Sequence, residues 1–224
     1  MEIEVWSDVV CPWCYLGKRR LEHALEGFEH RDEVTVSWRS YELDPAAPRE
    51  VDGDPTDRLI EKYGMSREQA LESRAHLTRL AAEEGLEYHL ERSLPTNTFD
   101  AHRLTRLAAA HGLAKEAVER LFRAYFTEGL AIGRPEVLTS LLTEIGVPEA
   151  PVRETLEGDG CGDEVRREEA QAARFGAQGV PFFVFDRRYA FSGAQPPEVF
   201  SAALREAWDN RGPRAEEAGE QPEG

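Results

Sequence analysis

Strand-forming sequence lies near both ends of this 224-residue chain, and a long block of helical pattern separates the two regions. Near the start, alternating apolar positions predict strands at residues 3–7 and 34–38, and apolar residues at helical spacing predict a helix between them. The segment between the two strands is long enough for a right-handed crossover, so we expect the strands to be parallel. The chain therefore starts with a strand–helix–strand unit.

The middle of the chain predicts a series of helices. Residues 44–55 are rich in proline and acidic side chains and indicate a linker. Ser66 and Gln69 have the spacing of a capping box before an alanine- and leucine-rich helix, and Asn97 predicts the cap of the next helix. Further helices are predicted at residues 115–128, from Pro135 onward and from Asp163 onward, and they are followed by Gly129, Gly146 and Gly176.

Strand-forming sequence returns at residues 182–185 and 189–192, where two short runs flank a tight turn and predict a hairpin. Pro196-Pro197 then opens a last helix. This order of elements predicts an α/β protein in which an all-helical insertion interrupts a small mixed-sheet domain. We assign residues 1–45 and 163–210 to the two halves of the sheet domain, 46–162 to the insertion and 211–224 to an acidic flexible tail.

The sequence Cys11-Pro12-Trp13-Cys14 follows the first predicted strand and opens the first predicted helix. Cysteines three positions apart share one face of a helix, close enough for their sulfur atoms to bond. The unpaired N–H groups and the positive dipole end at a helix N-terminus favour a thiolate. We therefore predict a redox pair, with Cys11 as the exposed nucleophile and Cys14, one turn inside the helix, as the resolving thiol.

Two other interpretations of the cysteine pair stay open. A zinc half-site needs two further ligands, and the six histidines include no pair at the spacing of zinc ligands. A pair of buried structural thiols is the second alternative. A strand-to-helix turn inside a strand–helix–strand unit favours the redox interpretation. The third cysteine, Cys161, lies in a glycine-rich turn, where we expect an accidental surface thiol, with a regulatory disulfide as the alternative.

The segment Gly179-Val180-Pro181-Phe182 leads into the predicted hairpin. Its simplest interpretation is a loop that ends before a strand. Only about one in twenty X–Pro bonds in folded proteins is cis, so the dipeptide alone decides nothing. Since the same domain holds the cysteine pair, we expect a cis Val180–Pro181 bond that presents the Val180 backbone to an extended substrate beside Cys11.

Composition excludes several classes of partner. Hydrophobic residues make up 41% of the chain, enough for a normal core, while 43 acidic residues against 27 basic ones give a formal net charge of −16. A surface this acidic repels phosphate backbones and anionic lipids, so we expect no nucleic-acid and no membrane partner. No apolar run approaches the ~20 residues that span a bilayer, and the first ten residues lack the features of a secretory signal. We therefore expect a cytoplasmic globular protein.

Four motifs in order resemble the DsbA family of thioredoxin-fold proteins, over about residues 3 to 208. Within that family the chain is similar to the FrnE-like dithiol–disulfide oxidoreductases, which are related to 2-hydroxychromene-2-carboxylate isomerases and kappa-class glutathione transferases. The resemblance implies a thioredoxin fold interrupted by an all-helical insertion domain. The motifs are Ser7 to Gly17 around the cysteine pair, Asn97-Thr98 with Ala101 to Leu104, Gly179-Val180-Pro181, and Ser192 to Gln195.

The resemblance also implies the residues of the site. Cys11 and Cys14 would carry disulfide exchange, without a metal or organic cofactor and with glutathione as a candidate co-substrate. Trp13 between the cysteines, the Val180-Pro181 loop, Asn97 from the helical domain and Gly193 in a polar loop would contact the substrate. For Asn97, helix capping alone is the alternative. We expect Asp8 to be a turn residue and His102 to be packed or solvated.

The expected partners are protein or small-molecule thiols and disulfides, for a chain that is a monomer or a homodimer. The alternative function is a glutathione-dependent isomerase or transferase that acts on a small aromatic compound. In those branches the nucleophile position holds serine and the second cysteine is absent, so Cys11 and Cys14 favour redox chemistry. A non-catalytic binder that keeps the fold is a third hypothesis.

Overall fold

A computed structural model describes residues 1–49 and 53–211, and within these residues the chain forms four strands and nine α-helices. A short 3-10 turn, Arg31–Glu33, precedes the second strand. The elements are β1 (Glu2–Ser7), α1 (Pro12–Glu26), β2 (Thr35–Ser40), α2 (Pro55–Tyr63), α3 (Arg67–Glu83), α4 (Phe99–Ala110), α5 (Ala114–Phe126), α6 (Pro135–Glu144), α7 (Glu149–Glu157), α8 (Gly162–Arg174), β3 (Phe182–Phe185), β4 (Tyr189–Ser192) and α9 (Pro197–Asp209).

The four strands form one mixed sheet in the order β2-β1-β3-β4. β1 runs parallel to β2 and antiparallel to β3, and β3 pairs with β4 as a hairpin. Both predicted pairings are therefore confirmed. Val5 lies opposite Trp38 in the register of β1 and β2. The predicted strand 34–38 begins one residue later, at Thr35, because Val34 is the residue that ends the 3-10 turn Arg31–Glu33.

Helices cover both faces of the sheet, which is why the central strand β1 is buried along almost its whole length. On one face, Ile3 and Val5 join a core with α1 and α9, two helices that pack against each other. On the other face, Trp6 packs edge-on against Phe175 and its indole Nε1 donates to the carbonyl oxygen of Glu168 in α8 (2.8 Å). The predicted α/β class is confirmed.

Helices α2 to α7 lie between β2 and α8 in the sequence, and one hydrophobic core continues from the sheet through α1 into α4 and α5. The predicted capping box is confirmed: Ser66 Oγ accepts the N–H of Gln69, and the Gln69 side chain accepts the N–H of Ser66. The sequence analysis does not separate the nine-residue helices α2 and α7 from the helical block, although Asp54, Pro55 and Gly64 are capping signals at the two ends of α2.

Some sequence predictions stay untested. Of the predicted linker 44–55, residues 50–52 lie outside the described part, and α2 already begins at Pro55 with Asp54 as its cap. The domain limits 1–45, 46–162 and 163–210 remain a prediction. The predicted acidic tail 211–224 lies outside the described residues except for Arg211. None of the described helices is long and apolar enough to cross a membrane.

Candidate active site

The two cysteines of the predicted redox pair lie where β1 passes into α1. Cys11 is the N-cap residue with an extended backbone, and its N–H donates to the carbonyl of Asp8 (3.0 Å). Cys14 lies in the first turn, and its N–H donates to the Cys11 carbonyl (3.0 Å). Both are free thiols. The strand thus fixes the entry to the helix, and the helix holds the two sulfur atoms on one side.

The prediction that Cys11 is exposed is wrong. Only 3% of Cys11 is accessible, compared with 1% of Cys14, whereas Trp13 between them is 40% exposed. The carbonyl oxygen of Val180 lies 3.6 Å from Cys11 Sγ and helps to cover it. Trp13, and not the thiol, therefore forms the exposed part of the motif.

Cys14 is surrounded by groups that control its protonation. Burial raises its pKa well above the usual range, and a hydrogen bond and charge interaction with Cys11 raise it further. Hydrogen bonds from the Asp8 backbone and the Ser7 side chain act in the opposite direction. Cys14 is therefore a protonated thiol. The two hydrogen-bond donors beside it are in place to stabilise its thiolate when it ionises.

The loop before β3 meets the cysteine pair. The Val180–Pro181 bond is cis, as the sequence predicts. Gly193 donates its N–H to the Pro181 carbonyl (2.8 Å) and has a φ of +86°, a conformation that favours glycine. The structure thus brings Cys11, Val180, Pro181 and Gly193 together from three separate parts of the chain.

Helix α1 approaches this loop closely at Gly17. A Cβ atom at position 17 would lie 3.2 Å from Pro181 Cγ and 3.1 Å from Phe183 Cζ. Both neighbours belong to the loop and strand that position Val180. Glycine at position 17 therefore sets the distance between the cysteine-bearing helix and the loop.

Asn97 lies at the start of α4, with contacts that explain its presence. Its Oδ1 accepts the N–H of Phe99 (3.0 Å), so it caps the helix, although the N-cap position is Thr98, one residue later than predicted. Its Nδ2 donates to the Pro45 carbonyl (3.3 Å) and to Glu42 Oε1 (3.4 Å). Within the described residues, none of its hydrogen bonds reaches Cys11 or Cys14, and its substrate role remains a prediction.

Asp8 and His102 form a buried pair behind the motif. Asp8 Oδ2 accepts the N–H of Leu43 (2.8 Å), and Oδ1 lies 3.4 Å from His102 Nε2, with both side chains almost fully buried. His102 is packed, as expected. Asp8 was predicted to be a turn residue only. Its side chain also connects the loop before Cys11 to the segment after β2, through Leu43, and lies against His102 of α4.

Tyr88 is a residue of the site that the sequence analysis missed. It lies between α3 and α4, is only 4% exposed, and its hydroxyl donates to the Pro12 carbonyl between the two cysteines (2.7 Å). Burial, with the charges of Cys11 and of other neighbours, raises the pKa of Tyr88, so the hydroxyl stays neutral. A lone tyrosine after a helix carries no sequence signal, because its contact depends on how the helical part docks.

Cys161 lies apart from this arrangement, in the left-handed residue before α8 (φ +62°). It is half-buried, and burial and the charge of Glu164 raise the pKa of its thiol. In the described part of the chain, no group of three or more His, Cys, Asp or Glu side chains could hold a metal ion.

Comparison with known proteins identifies the family of this chain and structures similar to it. The model of the DSBA-like thioredoxin domain family matches residues 2–205. The crystal structure of the probable DsbA oxidoreductase SCO1869 from Streptomyces coelicolor superimposes with a TM-score of 0.92 at 44% identity, covering 95% of this chain and 92% of that one.

Two more distant structures share the fold. The cytosolic disulfide reductase DsbM from Pseudomonas aeruginosa, solved with GSH, has a TM-score of 0.66 at 20% identity over 93% of this chain and 100% of that one. A 2-hydroxychromene-2-carboxylate isomerase has a TM-score of 0.70 at 18% identity over 95% of this chain and 100% of its own. At these identities the similarity of the two structures to this chain shows a shared fold and no more.

Proposed function

Because this chain belongs to the family of DSBA-like thioredoxin domains, we propose that it is a thiol–disulfide oxidoreductase or isomerase that acts through Cys11 and Cys14. The observation that carries the proposal is the position of the two thiols in the first turn of α1, with the Val180 carbonyl 3.6 Å from Cys11 Sγ. This places a peptide backbone acceptor directly beside the first thiol of the pair.

The proposed reaction passes two electrons through a mixed disulfide. In the reducing direction, the Cys11 thiolate attacks one sulfur of a substrate disulfide, a Cys11–substrate bond forms, and the other substrate sulfur leaves as a thiolate that takes up a proton. Cys14 then loses its proton and attacks Cys11 Sγ. The Cys11–Cys14 bond forms, and the second substrate sulfur leaves and is protonated. The oxidising direction is the reverse.

The environment of Cys14 supports this order of events. Burial and the neighbouring Cys11 raise the pKa of Cys14, so it stays protonated while Cys11 is free. Once Cys11 is part of a mixed disulfide, it carries no negative charge, and that part of the effect disappears. The hydrogen bonds from the Asp8 backbone and the Ser7 side chain remain and stabilise the Cys14 thiolate.

We assign substrate contacts to the residues around Cys11. Trp13 lies in the first turn of α1, and Leu43 lies after β2, where its N–H donates to the Asp8 side chain. Both are exposed apolar side chains, and they offer a contact surface to a protein or a small thiol. The Val180 carbonyl is positioned to accept a hydrogen bond from an extended substrate. Glutathione is the proposed small co-substrate, and a cytoplasmic location is proposed with it; both agree with the cytosolic reductase DsbM, which was solved with GSH.

The proposal is tested by the reduction of insulin disulfides with dithiothreitol as the electron donor. We expect the wild-type protein to accelerate the reaction, and Cys11→Ser and Cys14→Ser each to abolish turnover. Cys161→Ser is the matched control and should keep full activity, because Cys161 lies outside the site.

Two outcomes would replace the proposal. Turnover of a small aromatic substrate with glutathione that is unaffected by Cys14→Ser would favour an isomerase or transferase. A wild-type protein that binds reduced insulin without accelerating its reduction would favour a non-catalytic binder.

A further inference from the structure

One hydroxyl group from the helical part of the chain lies beside the cysteine pair. Tyr88 belongs to the connection between α3 and α4, and its hydroxyl donates to the carbonyl oxygen of Pro12 (2.7 Å). Pro12 lies between Cys11 and Cys14, so this carbonyl belongs to the same helical turn as both sulfur atoms. The redox mechanism above does not use this contact.

Packing fixes the tyrosine ring through contacts that do not involve either cysteine. The Tyr88 ring stacks on Phe126 with 5.0 Å between ring centroids and on Tyr15 with 5.9 Å. The residues on either side of it are tied to the end of α5: His89 N–H donates to the Phe126 carbonyl (2.7 Å), and Thr127 Oγ1 donates to the Glu87 carbonyl (2.7 Å). The hydroxyl is therefore held in place rather than free to rotate away with its side chain.

The hydrogen bond has an electrostatic consequence for the sulfur atoms. A carbonyl oxygen carries partial negative charge, and a donor bound to it offsets part of that charge. In a buried site the effect on a nearby thiolate is larger than in water, because little solvent screens it. Burial, with the charge of Cys11, raises the pKa of Tyr88, so the hydroxyl keeps its proton and remains the donor in this hydrogen bond.

We propose that Tyr88 is a positioning residue of the redox pair, which fixes the Pro12 carbonyl and favours the reduced form that carries the thiolate. The inference rests on the proposed disulfide exchange. It gives the connection between α3 and α4 a role in setting the dithiol–disulfide equilibrium of Cys11 and Cys14, in addition to any role in covering them.

The test is the equilibrium of the protein dithiol with oxidised glutathione, which gives the Cys11–Cys14 disulfide and two molecules of glutathione. Tyr88→Phe removes one oxygen atom and keeps the ring that stacks on Phe126. The loss of one hydrogen bond near the pair should shift the equilibrium constant toward the protein disulfide, on the order of fivefold. The pH profile of Cys11 alkylation by iodoacetamide should move to higher pH in the same variant.

Tyr125→Phe is the matched control. Tyr125 is also buried, and its hydroxyl also donates to one backbone carbonyl, that of Leu94 (3.0 Å). Both variants should lower the melting temperature to a similar degree, and only Tyr88→Phe should change the glutathione equilibrium and the alkylation profile.

The possible failures are distinct. If the wild-type protein forms no Cys11–Cys14 disulfide with oxidised glutathione, the proposed function fails and the inference fails with it. If the wild-type protein equilibrates and the two phenylalanine variants share its equilibrium constant, the proposed function stands and the role of Tyr88 is overturned.

Discussion

Cys11 and Cys14 are three residues apart in one helical turn, yet their surroundings differ in kind. Cys11 faces the Val180 carbonyl at the edge of the site. Cys14 lies deeper, beside the Ser7 side chain and the Asp8 backbone, and burial raises its pKa. In the proposed mechanism this difference assigns the attack on substrate to Cys11 and the resolution of the mixed disulfide to Cys14.

This difference predicts how the stability of the reduced protein depends on pH. An unfolded cysteine ionises at about pH 8.5, and Cys14 in the folded protein ionises well above that. The stabilising contribution of protonated Cys14 is complete below the unfolded pKa and is lost as pH rises through the folded pKa. Melting temperatures between pH 7 and pH 10 should therefore fall faster for the reduced protein than for the oxidised one.

The oxidised protein is its own control, since the disulfide has no thiol proton while Cys161 and the buried tyrosines are unchanged. Parallel loss of stability in both redox states would show that Cys14 is not a protonated buried thiol in the native protein.

Local spacing predicted the cysteine pair at the start of α1, and the presence of that pair in the same domain predicted the cis Val180–Pro181 bond, since the dipeptide alone decides nothing. The sequence did not predict the burial of Cys11 or the contact of Tyr88 with Pro12, because both depend on parts of the chain that are distant in sequence. Asn97 shows the intermediate case: its capping hydrogen bond follows from local sequence, while its contacts with Glu42 and Pro45 do not.

At the scale of elements, α1 is the helix that connects the site to the rest of the fold. Arg20 in α1 donates to the carbonyls of Ala194 (2.7 Å) and Gln195 (3.2 Å), and it pairs with Glu84 just after α3 (2.7 Å). Lys18 is buried on the same helix and pairs with Glu119 of α5. Helix α1 is thus connected both to the loop after β4 and to α3 and α5.

The close approach of α1 to the loop before β3 gives a prediction for Gly17→Ala. Alanine is favoured over glycine inside a helix by about 1 kcal/mol, but overpacking a filled core costs about 1–3 kcal/mol. Pro181 and Phe183 are buried and would have to shift by a few tenths of an ångström to admit a Cβ atom. We therefore expect net destabilisation of up to about 2 kcal/mol, a fall of a few degrees in melting temperature. Insulin reduction should slow with it.

Gly27→Ala is the matched control at the end of the same helix. A Cβ atom there meets only the Ala24 carbonyl at 3.9 Å, and the glycine has a negative φ, so the melting temperature should stay the same or rise slightly. Equal melting temperatures for the two variants would mean that α1 and the loop are not in close contact.

At the scale of the whole molecule, buried charges join the sheet to the helices. Glu168 of α8 accepts hydrogen bonds from Arg39 of β2 (3.2 Å), Arg106 of α4 (2.8 Å) and the backbone N–H of Ser40 (2.8 Å). Strand pairing and most helices follow from periodicity, capping residues and glycines, so the sequence predicts them. Contacts such as Glu168 with Arg106 have no periodicity, and only the assembled fold reveals them.

The central claim is tested most directly by trapping the mixed disulfide on the full chain. Cys14→Ala protein is incubated with oxidised glutathione, and the adduct is located by intact mass and peptide mapping. We predict one stable glutathione adduct on Cys11, whereas the wild-type protein should release glutathione and form the Cys11–Cys14 disulfide. An adduct that forms on Cys161 while Cys11 stays free, or a Cys11 adduct that persists in the wild-type protein, would contradict the account.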